Sequence, residues 1–154
     1  LFRSSLGTVY GNQVSFTTSS ITWTLVSSTY HAASSGWTQT LAGTNSAKQY
    51  KLVVSGTWGI ANGRCHRDAA YDCGSNNTIG SSGTPVANRG CDANWSLEGN
   101  CPPPAPNSPL AYAADHIYTY LLGAGKSSGF SIAFSDGGYG DNCGGLTFAL
   151  YVSD

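Results

Sequence analysis

The chain has 154 residues, of which 10 % are charged and 12 % aromatic, with no Met and a net charge of −1. That length suffices for one domain with its own core, so a metal or a disulfide is not required to hold it together. With three scattered His and no cluster among the 7 Lys and Arg, the chain is not built to hold nucleic acid or acidic lipid, and no apolar run reaches the ~18 residues of a membrane span. It opens at Leu1 with neither Met nor a basic-then-apolar leader, as expected of a mature or excised domain.

The periodicity is that of strands. "TVYGNQVSFTT" (8–18) and "ITWTLV" (21–26) alternate β-branched or aromatic residues with polar ones. "AKQYKLVVSGTWGI" (47–60) reads as one central strand, and Trp23 and Tyr50 read as core. Trp37 stands between Gly36 and Thr38 without context, and neither His31 nor His116 has an evident partner. From Ala61 to Leu110 the pattern stops, and "CPPPAPNSP" (101–109) cannot join a sheet interior. Strands resume at "HIYTYLLG" (116–123), "SGFSIAFSD" (128–136) and "GLTFALYVSD" (145–154), and the helical hint in "LAYAADHIYTYLL" fits a strand with a polar lead-in better. Six or seven strands separated by turns predict an all-β fold, a single domain over 1–154 built as a two-sheet antiparallel β-sandwich of the jelly-roll kind. The long middle segment is expected to carry function.

Five cysteines in a chain of this size point to an oxidising compartment, secreted or at the cell surface. Cys65 and Cys73 bracket one loop and Cys91 and Cys101 the next, which favours two local disulfides and leaves Cys143 over. Four cysteines still allow three connectivities. Zinc is the competing use, but no CxxC pair occurs.

Between two strand-like runs lies "SDGGYGDNCGG" (135–145), too long for a tight hairpin. Asp136, Asp141 and Asn142 gather hard oxygen donors on it, and Gly137, Gly138, Gly140, Gly144 and Gly145 give the backbone room to turn carbonyls inward. Such a donor set suits Ca²⁺, although the spacing is not that of an EF-hand. The alternative is an Asp/Asn/Gly turn whose side chains bond only their own backbone.

"SGTWG" (55–59) and "DGGYGDNCGGLTF" (136–148) together resemble the bacterial PA-I galactophilic lectin family, whose members bind galactose through calcium. The likeness spans about residues 48–154 and implies a galactose-binding-like sandwich with long loops. It implies that Asp136, Asp141 and Asn142 give side-chain oxygens to Ca²⁺, with carbonyls from Trp58 and Gly138. The family's loop is two residues longer between its Asp and its Tyr, and Asp141 stands where the family has Asn. "RCHRDAAYDC" (64–73) occupies the place of a His-bearing sugar-contacting loop, which makes Arg64, His66 and Asp68 expected glycan contacts beside Asp136, Gly137 and Asp141. Arg67 and Asp68 are equally able to pair with each other, and Trp95 is either a stacking platform or local core.

The function expected is calcium-dependent binding of a glycan, galactose-type or another vicinal diol, in several copies by self-association or within a larger adhesin. The alternative is a structural or adhesin module whose Ca²⁺ only stabilises a loop. An enzyme is not expected, because Glu98 is the one Glu, no nucleophile elbow occurs, and carboxylates tied to calcium are poor proton donors.

Overall fold

Alternation of side chains builds the sheets. In the computed structural model, which describes residues 20–59, 67–72, 84–85 and 94–154, every element is a strand. They are β1 (Trp23–Ala32), β2 (Trp37–Leu41), β3 (Gln49–Ser55), β4 (Thr57–Gly59), β5 (Arg67–Asp68), β6 (Tyr71–Asp72), β7 (Thr84–Pro85), β8 (Asn94–Leu97), β9 (Ile117–Ala124), β10 (Phe130–Ser135) and β11 (Cys143–Ser153). Tyr50, Leu52 and Val54 of β3 are buried while Lys51 and Val53 between them are half-exposed. The same period buries Tyr118 and Tyr120 of β9, Phe130, Ile132 and Phe134 of β10, and Leu146, Phe148 and Leu150 of β11.

The strands make antiparallel sheets. The larger has the order β7-β6-β5-β4-β11-β3-β9, with β1 also paired to β11; the smaller is β2-β10-β8. β11 is the spine. Along one side it pairs with β1 from Trp23↔Ser153 to Ala32↔Gly145. Along the other it pairs first with β4 (Cys143↔Gly59, Gly144↔Trp58) and then with β3 (Thr147↔Ser55 to Val152↔Tyr50). Rings from the two sheets meet in the core: Phe134 against Trp58 at 5.0 Å, Trp37 against Phe148 at 5.4 Å, and Trp95 against Tyr120 at 5.3 Å. Edge-to-face geometry at these separations is the favoured one for aromatic pairs.

Several expectations are corrected. The run 47–60 is two strands, because Gly56 takes φ 111° and a Cβ there would lie 2.6 Å from the Gly145 carbonyl oxygen. Trp23 is half-exposed rather than core; it lies on edge strand β1 with the Lys51 ammonium 4.7 Å from its ring centroid. β1 runs on to Ala32, and β2 and β8 form where no strand is expected. The proline stretch stays out of the sheet interior, as expected, but covers an edge of it. Asn107 N–H donates to Thr119 O at 2.7 Å, Thr119 N–H to Ser108 O at 2.6 Å, and Leu121 N–H to Asn107 Oδ1 at 2.7 Å.

The run 8–18 lies outside the described residues, as do Cys65, Cys73 and Cys91. Cys101 is half-buried after β8. Cys143, expected to be left over, is disulfide-bonded. It opens β11 beside Gly59.

Candidate cation site in the β10–β11 connection

The connection from Asp136 to Asn142 is held by its own side chains and by the turn after β1. Asn142 is the pivot: its Nδ2 donates to Asp136 Oδ2 at 2.8 Å and to the Ala33 carbonyl at 2.8 Å. Both amide protons are thereby engaged, which fixes which end of the amide is nitrogen. Asn142 Oδ1 is buried and has no hydrogen-bond partner. The Asp136 main-chain N–H donates to the Tyr139 hydroxyl at 3.0 Å, and Asn142 N–H to Tyr139 O at 3.3 Å. Tyr139 in turn packs its ring on Phe134, centroids 6.2 Å apart.

An unpaired buried polar atom costs about 1–3 kcal/mol, so native proteins keep few of them. Here Trp37 Nε1, Asn94 Nδ2 and Asn142 Oδ1 are all of this kind. In the ladders Trp37 is opposite Phe134 and Asn94 opposite Ser135. The three therefore flank the last residues of β10 and the connection that follows. Among the described residues, these three unpaired buried atoms lie around one connection.

The residues singled out in the sequence divide sharply. Asp136 and Asn142 are brought together, and the main chain of Trp58 runs beside the far limb of the connection through its pairing with Gly144. Asp141, Gly137 and Gly138 are exposed, and a Cβ at Gly137, Gly138 or Gly140 would meet nothing within 4 Å. None of these three has positive φ, so tight turning is not what they provide; Gly144 alone in this stretch is left-handed, at φ 67°. Gly145 is a glycine for want of space, since a Cβ would lie 2.3 Å from the His31 carbonyl oxygen.

Two expected glycan contacts are corrected. Trp95 is fully buried, its Nε1 donating to Ala69 O at 3.0 Å, and offers no stacking face. Asp68 is fully buried too. Its Oδ1 accepts from Ala70 N–H (2.9 Å) and Tyr71 N–H (2.7 Å), and its Oδ2 from the Tyr118 hydroxyl (2.9 Å) and His116 Nδ1 (3.1 Å). Four donors around one carboxylate make it the fastening of the 67–72 hairpin, and Arg67 pairs with Asp72 at 2.8 Å instead. Burial, reinforced by the Asp68 charge, pushes the Tyr118 and Tyr120 phenols well above the ordinary tyrosine range, so both remain neutral donors. Arg64 and His66 lie outside the described residues.

His31 and His116 have partners that sequence order hides. His31 stacks on Trp37 at 4.0 Å and meets Gln39 Oε1 through Nε2 at 2.5 Å, while His116 takes φ 55° to reach Asp68. Neither belongs to the connection.

No group of three His, Cys, Asp or Glu gathers among the described residues. That grouping leaves out amide and carbonyl oxygens. A buried amide oxygen beside a carboxylate, with a second carboxylate at Asp141 in the same connection, fits a hard cation. Compared with protein-family models, with curated proteins and with solved structures, the chain gives no match.

Proposed function

We propose that this protein is a calcium-dependent carbohydrate-binding protein, secreted or held at a cell surface, whose two sheets form a jelly-roll sandwich carrying the site on the connection 136–142. The observation that carries the proposal is the buried, unpartnered Asn142 Oδ1 held against Asp136. A bound cation gives that oxygen its partner and turns an energetic cost into a ligand.

Asp136, Asn142 and Asp141 would hold the ion, with the Trp58 and Gly138 carbonyls as the further donors that the sequence resemblance implies. Calcium would supply open coordination positions that two vicinal hydroxyls of a sugar can fill. The carboxylates of Asp136 and Asp141 then accept the hydroxyl protons as charge-assisted hydrogen bonds. The open space over Gly137, Gly138 and Gly140 leaves room for a sugar ring at that surface. Recognition of a diol in this way changes no bond in the ligand.

A second reading is favoured by the Asn142–Ala33 bond, which ties the connection to the turn after β1. Under that reading calcium serves only to brace the connection. Calorimetric titration separates the two. Galactose, mannose and fucose are titrated into the protein with calcium, after chelation, and into Asp141→Ala. Sugar binding that requires calcium and is lost in the variant is the expected result. Calcium binding with no response to any of the three sugars would leave the bracing role alone.

A further inference from the structure

The turn between β1 and β2 belongs to the part of the chain that carries none of the sequence resemblance, yet the connection rests on it. Ala33 N–H donates to Gly144 O at 3.0 Å and Ala33 O receives Asn142 Nδ2 at 2.8 Å, so this residue grips both ends of the Asn142–Gly144 segment. Three residues on, a Cβ at Gly36 would lie 2.5 Å from the Tyr139 hydroxyl oxygen and 3.2 Å from Cζ. Gly36 has no positive φ, so what the site requires there is space and not an unusual backbone. The hydroxyl that fills this space is the acceptor for Asp136 N–H at 3.0 Å.

Gly36, Tyr139 and Asp136 thus form a chain of dependence. The missing side chain at 36 admits the phenol, and the phenol fixes the backbone that carries the Asp136 carboxylate. Ala33 meanwhile fixes the amide of Asn142. We propose that Gly36 and Tyr139 act together as a latch: they are positioning residues that hold Asp136 and Asn142 in one arrangement before the cation arrives. A site ordered in advance spends less of the binding free energy on immobilising its ligands. The proposal rests on the calcium reading given above, but it concerns residues outside the donor set.

The test is a double-mutant cycle read by cation affinity. The whole chain and its Tyr139→Phe, Gly36→Ala and doubly substituted forms are titrated with terbium, with luminescence sensitised by the protein's tryptophans, and calcium is then used to displace it. Loss of one hydrogen-bond acceptor corresponds to about a fivefold weaker affinity in Tyr139→Phe. Gly36→Ala is expected to weaken binding by about as much, because the methyl expels the hydroxyl. The double variant should bind within about twofold of Tyr139→Phe, because without the hydroxyl the tightest contact left to the methyl is ring Cζ at 3.2 Å, which a small tilt of the ring relieves. Additive losses would sink the coupling that defines the latch. Equal affinities in all four proteins would remove the latch and leave the cation site standing. Failure of the unsubstituted chain to bind either ion would overturn the calcium reading itself, and the latch with it.

Discussion

Asp68 shows how a carboxylate that resembles a ligand contact can be spent elsewhere. Its four donors come from the 67–72 hairpin, from His116 just before β9 and from Tyr118 within it, the last fifty positions away. Asp68→Asn removes the charge and turns one acceptor into a donor facing donors. About 3 kcal/mol of stability should be lost, read from the midpoint of urea unfolding at constant slope. The phenols nearby give a second prediction. Their folded pKa values are raised above the ordinary ~10, so the stability they contribute is complete below that pH and is lost as pH rises beyond it. Alkaline titration of phenolate absorbance should show that Tyr118 and Tyr120 ionise only when the chain unfolds.

Among elements, the approach of β1 to β11 decides which glycines are indispensable. At Gly145 a Cβ would stand 2.3 Å from a main-chain oxygen and 2.6 Å from the Tyr30 hydroxyl. Gly145→Ala should therefore cost about 2 kcal/mol, visible as a lowered melting temperature. Gly137→Ala meets nothing within 4 Å at an ordinary φ, and it should leave the melting temperature unchanged or raise it slightly by stiffening the unfolded chain. β3, β9, β10 and β11 are legible in the sequence because each alternates inner and outer residues over six or more positions. β2 and β8 are not, since "WTQTL" and "NWSL" are short and β8 sits amid turn residues. The division between β3 and β4 is marked locally by Gly56 alone, while the contact that requires a glycine there, with the Gly145 carbonyl, comes from a strand far along the chain. At the site, Asp136 and Asn142 stand out as oxygen donors on a Gly-rich segment. Ala33 cannot, because it contributes a main-chain carbonyl across 109 positions of sequence.

For the molecule as a whole, a ligand that binds only the folded form raises stability in proportion to the logarithm of its concentration over Kd. Calcium at about a hundred times Kd should add ~2.7 kcal/mol, so chelation should lower the melting temperature and Asn142→Ala should abolish the difference. Under the carbohydrate-binding proposal, a single site of this kind would hold a monosaccharide weakly. Presented in several copies, it should gain on the order of 10²–10⁴ in apparent affinity for a glycan-coated surface over the free sugar, as surface plasmon resonance on immobilised glycan would read.

The order in which the strands are made differs from the order in which they pair. β1 and β3 flank β11, the last strand in sequence, and without it they share no ladder. The larger sheet therefore cannot close until residues 143–153 have left the ribosome. Up to that moment, among the described strands, β3 is paired to β9 alone and β1 to none. The chain then carries two long unpaired edges that a chaperone must shield. A protein arrested before residue 143 is expected to be captured by chaperones or to aggregate.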